Sequence, residues 1–337
     1  MAIVDCSKTI ELDPDDAYFY YCRAAVYNNK KQFDLAIADC NKAIELDPNE
    51  AWLYIERACA YNEKGEYDLA MADCNKAIDL APDFAMAYSH RAYAYCGMGE
   101  YDLAIADCNK AIELDPNCVQ AYNNRAHAYN GKGEYDLAIA DCNKAIELDP
   151  NDAYFYIERA HAYNGKGEYD LAIADCNKAI ELDPNDAYFY YSRADVYNEK
   201  EQYDLAIADC NKAIELDPNE AWLYIERAWA YEEKEQFDLA IADYNKAIEL
   251  NPNDAYFYYS RAYAYNGKGQ YDLAMADCNK AIELEPDYAR AFYTRGCTYK
   301  LQGKNAEAIA DLEKAIALTD DTELIELAMQ QLEELSE

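Results

Sequence analysis

The sequence predicts an all-α solenoid of stacked antiparallel helix pairs, and three observations predict it. The nine prolines stand at 14, 48, 82, 116, 150, 184, 218, 252 and 286, each 34 residues after the last. A fixed period of this size marks units that cannot bury an apolar face alone and therefore stack on their neighbours. The stretch YDLAIADCNKAIELDPNDAYFY at 169–190 recurs with small changes along the whole 337-residue chain. Within it the apolar spacing is helical on both sides of the proline.

The element before the proline carries Ala172, Ile173, Cys176, Ala179 and Ile180 on one side, with Asp170, Asn177, Lys178 and Glu181 on the other. That is an amphipathic helix. Pro184 disfavours helical geometry at Asp183 and ends it. Asn185 or Asp186 then offers a side-chain oxygen to the free N–H groups of a second helix, whose inward residues are Ala187, Tyr190, Tyr191, Ala194 and Tyr197. Each unit is thus a helical hairpin. Residues 1–14 align with Leu35–Pro48, so residues 1–16 read as a half-repeat, either a half-unit cap or the start of a piece of a longer protein. Nine full units follow over residues 17–320. The ninth decays, with Asn305 in place of Tyr or Phe and Asp320 in place of Pro. Residues 321–337 read as a capping helix with Leu324, Ala328, Leu332 and Leu335 on one side. The unbroken period predicts one elongated domain over 1–337, against the two or three that length alone suggests. AWLYIERA occurs at both 51 and 221, the mark of a duplication of five repeats.

The period and residues resemble the tetratricopeptide repeat family: in Ala187–Glu220 the matching positions are Tyr190, Ala194, Tyr197, Tyr203, Ala206, Ala213 and Pro218. The resemblance covers almost the whole chain and implies a right-handed superhelical solenoid. Small residues in the 24 and 36 columns let helix axes approach. Two columns depart from the family. Arginine stands in every unit where the family usually has a bulky apolar residue, from Arg23 and Arg57 to Arg261 and Arg295, and an aspartate recurs on each second helix, from Asp39 to Asp311. Because a buried guanidinium needs a partner, these columns are expected to pair within or between units. Glycines such as Gly131, Gly133, Gly165 and Gly167 are expected to ease the hairpin turn.

Formal net charge is −36, and a typical unit such as residues 153–186 has seven acids and three bases. Charge spread so evenly opposes nucleic acid and anionic membrane surfaces and favours basic partners. Of thirteen cysteines, eight occupy one column: Cys6, Cys40, Cys74, Cys108, Cys142, Cys176, Cys210 and Cys278. Equivalent positions in stacked pairs lie about 10 Å apart, beyond disulfide reach, so the column is expected to be a small buried hydrophobe. Such thiol use fits a reducing, cytoplasmic compartment. No signal peptide or membrane-spanning apolar run is read.

Comparison of the units with one another locates variation in the first helix, in the columns of Tyr18, Tyr21, Cys22, Ala25 and Asn29. Their spacing places them on one stripe, which the resemblance assigns to the inner, concave groove where partners lie. The stripe holds all three tryptophans, Trp52, Trp222 and Trp229, with Tyr18, Tyr21, Tyr93, Tyr154, Tyr188, Tyr191, Tyr256 and Tyr263. Among these stand Glu56, Glu158, Glu226, Asp195 and Glu232, while Arg290 and Lys300 are its only bases. Aromatic anchors and carboxylates together point to a protein or peptide segment carrying Lys or Arg. Asn130 and Asn164, of an asparagine column that includes Asn28, Asn62, Asn198 and Asn266, are candidates to hydrogen-bond a ligand's backbone. The family's clamp for chaperone carboxyl termini is not implied, because the matching columns begin Tyr21, Ile55, Ser89 and Ala25, Cys59, Tyr93 and lack its cations.

No catalytic constellation, metal or cofactor is indicated. His127 and His161 share a column in adjacent units, about 10 Å apart, too far to grip one ion, and are counted with the groove; His90 stands apart. No Cys-x-x-Cys or phosphate-cradling glycine loop occurs. Two functions are therefore predicted: a non-enzymatic scaffold or adaptor with a peptide-binding groove, or a structural element that stacks end to end on copies of itself through its first helix.

Overall fold

A computed structural model describes residues 2–336, which form twenty α-helices. The first helices of the nine repeats are α2 (Ala17–Asn29), α4 (Ala51–Glu63), α6 (Ala85–Gly97), α8 (Val119–Gly131), α10 (Ala153–Gly165), α12 (Ala187–Glu199), α14 (Ala221–Glu233), α16 (Ala255–Gly267) and α18 (Ala289–Leu301). Their second helices are α3 (Phe33–Leu46), α5 (Tyr67–Leu80), α7 (Tyr101–Leu114), α9 (Tyr135–Leu148), α11 (Tyr169–Leu182), α13 (Tyr203–Leu216), α15 (Phe237–Leu250), α17 (Tyr271–Leu284) and α19 (Asn305–Ala317). The half-repeat is α1 (Ala2–Leu12), and α20 (Thr322–Ser336) closes the series against α19 and α18. Met1 and Glu337, the outermost residues of these two end segments, lie outside the described residues. The chain forms two compact units, Met1–Leu182 and Asp183–Glu337. In each, every helix packs on the next to make antiparallel hairpins, and each hairpin on its neighbour.

The turns between hairpins are pinned by side chains. Asp16, Asp152 and Asp254 accept from the backbone N–H of Tyr18, Tyr154 and Tyr256 at 2.8–3.0 Å, and Asp186 caps α12 in the same way through Tyr188. Asp183 accepts from the Asn185 N–H at 3.0 Å. The first-helix tyrosine then ties down the proline carbonyl six residues before it: Tyr54 to Pro48 and Tyr258 to Pro252, both at 3.0 Å. The core is built of small residues. Ala24, Ala36, Ala43 and Ala60 are fully buried, as are Cys40, Cys74, Cys108, Cys142, Cys176, Cys210 and Cys278. All thirteen cysteines are free. Burial pushes the Cys74 and Cys278 thiols up to about 12, so these sulfurs are inert packing groups. One buried column was not read from the sequence: Leu53, Phe155, Phe189, Leu223 and Phe257 face the core. Phe and Leu share that column with Ala87, Ala121 and Ala291, and the mixture of sizes hides its role.

Arginine and aspartate pair within each repeat. Arg125 donates through Nε and Nη2 to the two carboxylate oxygens of Asp141, each at 2.6 Å, and through Nη1 to Asn109 of the preceding repeat. Its guanidinium also lies 5.7 Å from the Tyr122 ring centroid. The same bidentate bond occurs in all nine repeats. It staples the two helices of a hairpin, and the third nitrogen reaches the neighbouring hairpin.

The loop glycines divide into two kinds. Gly133 and Gly167 have φ near +73° and +72°, as the turn requires. Gly131 and Gly165 do not make the turn, which corrects the sequence expectation. They end α8 and α10 under the rings of Tyr101 and Tyr135, where a Cβ would stand 2.3 Å from each ring's Cζ. In three repeats the turn position is held by Lys31, Glu201 or Glu235, at φ of 56–59°. A side chain there costs about 1 kcal/mol. Glu201→Gly is therefore expected to raise the urea midpoint of unfolding and Gly133→Ala to lower it, each by about 1 kcal/mol.

Candidate functional site

First helices of successive repeats lie side by side, α2 to α10 in the amino-terminal unit, and α12 with α14 and α16 with α18 in the other. Every stripe residue identified from the sequence lies on them, and of the candidates only Glu232, with Asn62 and Asn198 of the asparagine column, is buried. Tyr18, Tyr93, His127, Tyr154, Trp229, Tyr256 and Tyr263 are exposed; Tyr21, Trp52, Glu56, Asn130, Glu158, His161, Asn164, Tyr188, Tyr191, Asp195, Trp222 and Glu226 are half-buried.

The aromatic residues gather into nests. Trp52 meets the Tyr21 ring edge-on at 4.5 Å between centroids, with Tyr18 at 6.4 Å, and its Nε1 donates to Glu50 at 2.6 Å. The second unit repeats the arrangement: Trp222 meets Tyr191 edge-on at 4.3 Å, Tyr188 stacks beside Tyr191, and the indole donates to Glu220 at 2.8 Å. Edge-on packing of this kind holds a ring in one pose. With its polar edge satisfied within the protein, each indole offers a rigid apolar surface whose ordering a ligand does not have to supply. Trp229 packs edge-on to Tyr203, and Tyr256 lies 5.9 Å from Tyr259.

The asparagine column has an internal role. Asn28 donates to the Glu56 carbonyl at 3.1 Å and to its Oε1 at 2.6 Å, and Asn130 makes the same two bonds to Glu158 at 3.0 and 2.6 Å. Asn198 bonds Glu226 in the same way, and Asn62 donates to the His90 carbonyl. Each amide thus ties one repeat to the next, and its donors are not held ready for a ligand backbone as the sequence reading had them. The three glutamates that accept these bonds sit in different electrostatic surroundings. Burial pushes Glu56 up, and burial with Asp195 nearby pushes Glu226 up to about 7. For Glu158 burial is outweighed, because His127 sits 3.2 Å from Oε2 and the carboxyl is held below the ordinary range. The histidines therefore serve a carboxylate.

Substitutions in the stripe also open space. Where other repeats carry Tyr or Ile, the third and fourth have Ser89 and Asn123, and beside these residues lies a cleft of about 470 Å³ reached by Tyr93, Tyr154 and His90. Desolvation pushes His90 down to about 4, so the cleft holds a neutral imidazole. The small residues in a column of large ones were visible in the sequence, and the cleft they open is their structural meaning.

Eight successive matches to a tetratricopeptide repeat model cover residues 17–50, 51–84, 85–118, 119–152, 153–186, 187–220, 221–254 and 255–288. The chain belongs to the tetratricopeptide repeat family. A second tetratricopeptide repeat model takes in residues 278–310, where the last repeat begins to diverge. No curated protein gives a match. Among solved structures, this tetratricopeptide repeat chain is similar to the Cut9–Hcn1 hetero-tetramer of the APC/C, at TM-score 0.68 and 21% identity over 83% of its length. It spans 55% of that chain. It is also similar to yeast Tom70, at TM-score 0.60 and 19% identity over 99% of this chain and 91% of that one. A monomeric mutant of IFIT1 with Gppp-AAAA matches at TM-score 0.65 and 17% identity, over 95% of this chain and 82% of that one. At these identities the likeness is one of fold. No described helix of the repeat array is long and apolar enough to cross a membrane.

Proposed function

We propose that this tetratricopeptide repeat protein is a non-catalytic scaffold that takes a basic peptide or protein segment along the face of its first helices. The observation that carries this reading is the pair of matched aromatic nests, Tyr18–Tyr21–Trp52 in the first unit and Tyr188–Tyr191–Trp222 in the second, each on first helices that also carry carboxylates. Charge supports it. The two bases of the stripe are already engaged, Arg290 with Asp321 at 2.9 Å and Lys300 with Glu334, while the chain as a whole stands at −36. The same charge disfavours nucleic acid as the partner.

Selection from a displayed random peptide library is expected to yield binders enriched in Lys or Arg beside apolar residues. Trp52→Ala should weaken a peptide that docks on the first unit, and Trp222→Ala one that docks on the second, about tenfold or more, the loss of an interface anchor. Raising the salt concentration should weaken binding further. Binders without cations, or binders indifferent to both tryptophans, would count against the proposal.

A further inference from the structure

The seventh repeat departs from its siblings at two linked positions. Glu232 stands in the asparagine column and Tyr244 in the cysteine column. The Tyr244 ring is buried, and its hydroxyl donates to Glu232 Oε2 at 2.9 Å. Glu232 is 9% exposed, and its other oxygen, Oε1, has no hydrogen-bond partner among the described residues. It lines a cleft of about 430 Å³ at the carboxyl ends of α14 and α16, together with Glu233 and Glu235. Across from the acids lie the exposed Tyr263 ring and Leu301. The floor is the Phe237 ring, which lies so close over Gly267 that a Cβ there would meet it at 2.5 Å.

The lysines of the two flanking loops pair elsewhere. Lys234, between them in sequence, pairs with Asp204, and Lys268 of the next loop pairs with Asp238. Asn266, also at the rim, is satisfied by Thr298. Three carboxyls, one of them buried with a vacant acceptor, thus converge beside two aromatic rings and a leucine. A long aliphatic stem ending in a positive charge complements both parts: the stem covers Tyr263 and Leu301, and the charge sits among the acids, where a ring face adds cation–π attraction.

We infer that this cleft is the subsite for a lysine side chain of the bound segment. The inference rests on the basic-peptide reading above and gives one cation of that partner a place. Burial pushes Glu232 up to about 8, which is what a carboxyl held out of water without a counter-charge does. An arriving ammonium supplies that charge.

The test uses the full chain and two probes, Nα-acetyl-lysine methylamide and its uncharged norleucine analogue, followed through the amide signals of Gly267 and Leu301. The lysine probe is expected to shift both signals saturably in the millimolar range, around 1–10 mM, and the norleucine probe is not. Glu232→Gln keeps an acceptor for Tyr244, and Glu235→Gly relaxes a backbone at φ 56°. Both variants should stay folded yet bind the lysine probe several-fold more weakly. Equal shifts from the two probes, or undiminished binding by Glu235→Gly, would overturn the subsite. If library-selected peptides still depend on Trp222 in that case, the scaffold reading survives without this subsite. If the probe binds here while peptides ignore the tryptophans, the reverse holds.

Discussion

Asp141→Ala is expected to destabilise its hairpin by about 3 kcal/mol. The side chains of Arg125 and Asp141 are 18% and 9% exposed, so the pair is largely out of water. Asp141 also holds Arg125 above the ordinary guanidinium range through their hydrogen bonds, against the opposing effect of burial. Removing the carboxylate leaves a buried cation with only the Asn109 amide and the Tyr122 ring beside it. Most of the loss is that uncompensated charge and not the value of the bond itself. The double replacement Arg125→Met with Asp141→Leu should therefore recover most of the stability. Because neighbouring repeats unfold semi-independently, hydrogen exchange of α8 and α9 reads the effect more directly than a global melt. A loss in the double variant equal to that of Asp141→Ala would show that the bidentate bond is itself the main source of stability.

The second large effect is on pH dependence. Folded Glu232 titrates near 8, raised first by burial, with Glu233 adding and the Tyr244 hydroxyl opposing. In the unfolded chain it titrates near the ordinary carboxylate value of about 4.3. Between these values the folded state holds a proton that the unfolded state releases. The contribution is complete below pH 4.3 and is lost as pH rises through about 8, so stability falls with rising pH. Its size is on the order of 5 kcal/mol for a shift of this extent. Glu226, raised to about 7 in the same unit, acts in the same direction. Glu232→Gln keeps the acceptor for Tyr244 and cannot ionise. The variant is expected to unfold at higher urea than the parent at pH 9 and near the parent's midpoint at pH 5. A parallel drop in both proteins between those pH values would show that Glu232 is not the titrating group. A carboxyl kept at such a cost to stability accords with the cation subsite, where an incoming charge offsets it.

Much of this was legible in the residues. Proline at every thirty-fourth position and the 3.6-residue spacing between prolines determined the helix pairs, their ends and their number, because both are local constraints on backbone geometry. The arginine and aspartate columns announced their pairing, since neither charge is buried alone, and the cysteine column announced its packing. Tertiary structure decided the rest. Phe257, in the column that includes Phe189, is buried because it packs on Tyr224 and Ala247 of the preceding hairpin, which no single repeat reveals. Gly131 lies bare under Tyr101 of the preceding repeat, and Asn130 donates to the repeat that follows. Glu232 and Tyr244 are twelve residues apart and meet only when two helices close on each other. Each of these depends on a neighbour one repeat away or on the facing helix. Periodicity along one chain reports which face of a helix is apolar, whereas the depth of a carboxyl and the partner of an amide are set by what the fold brings against them.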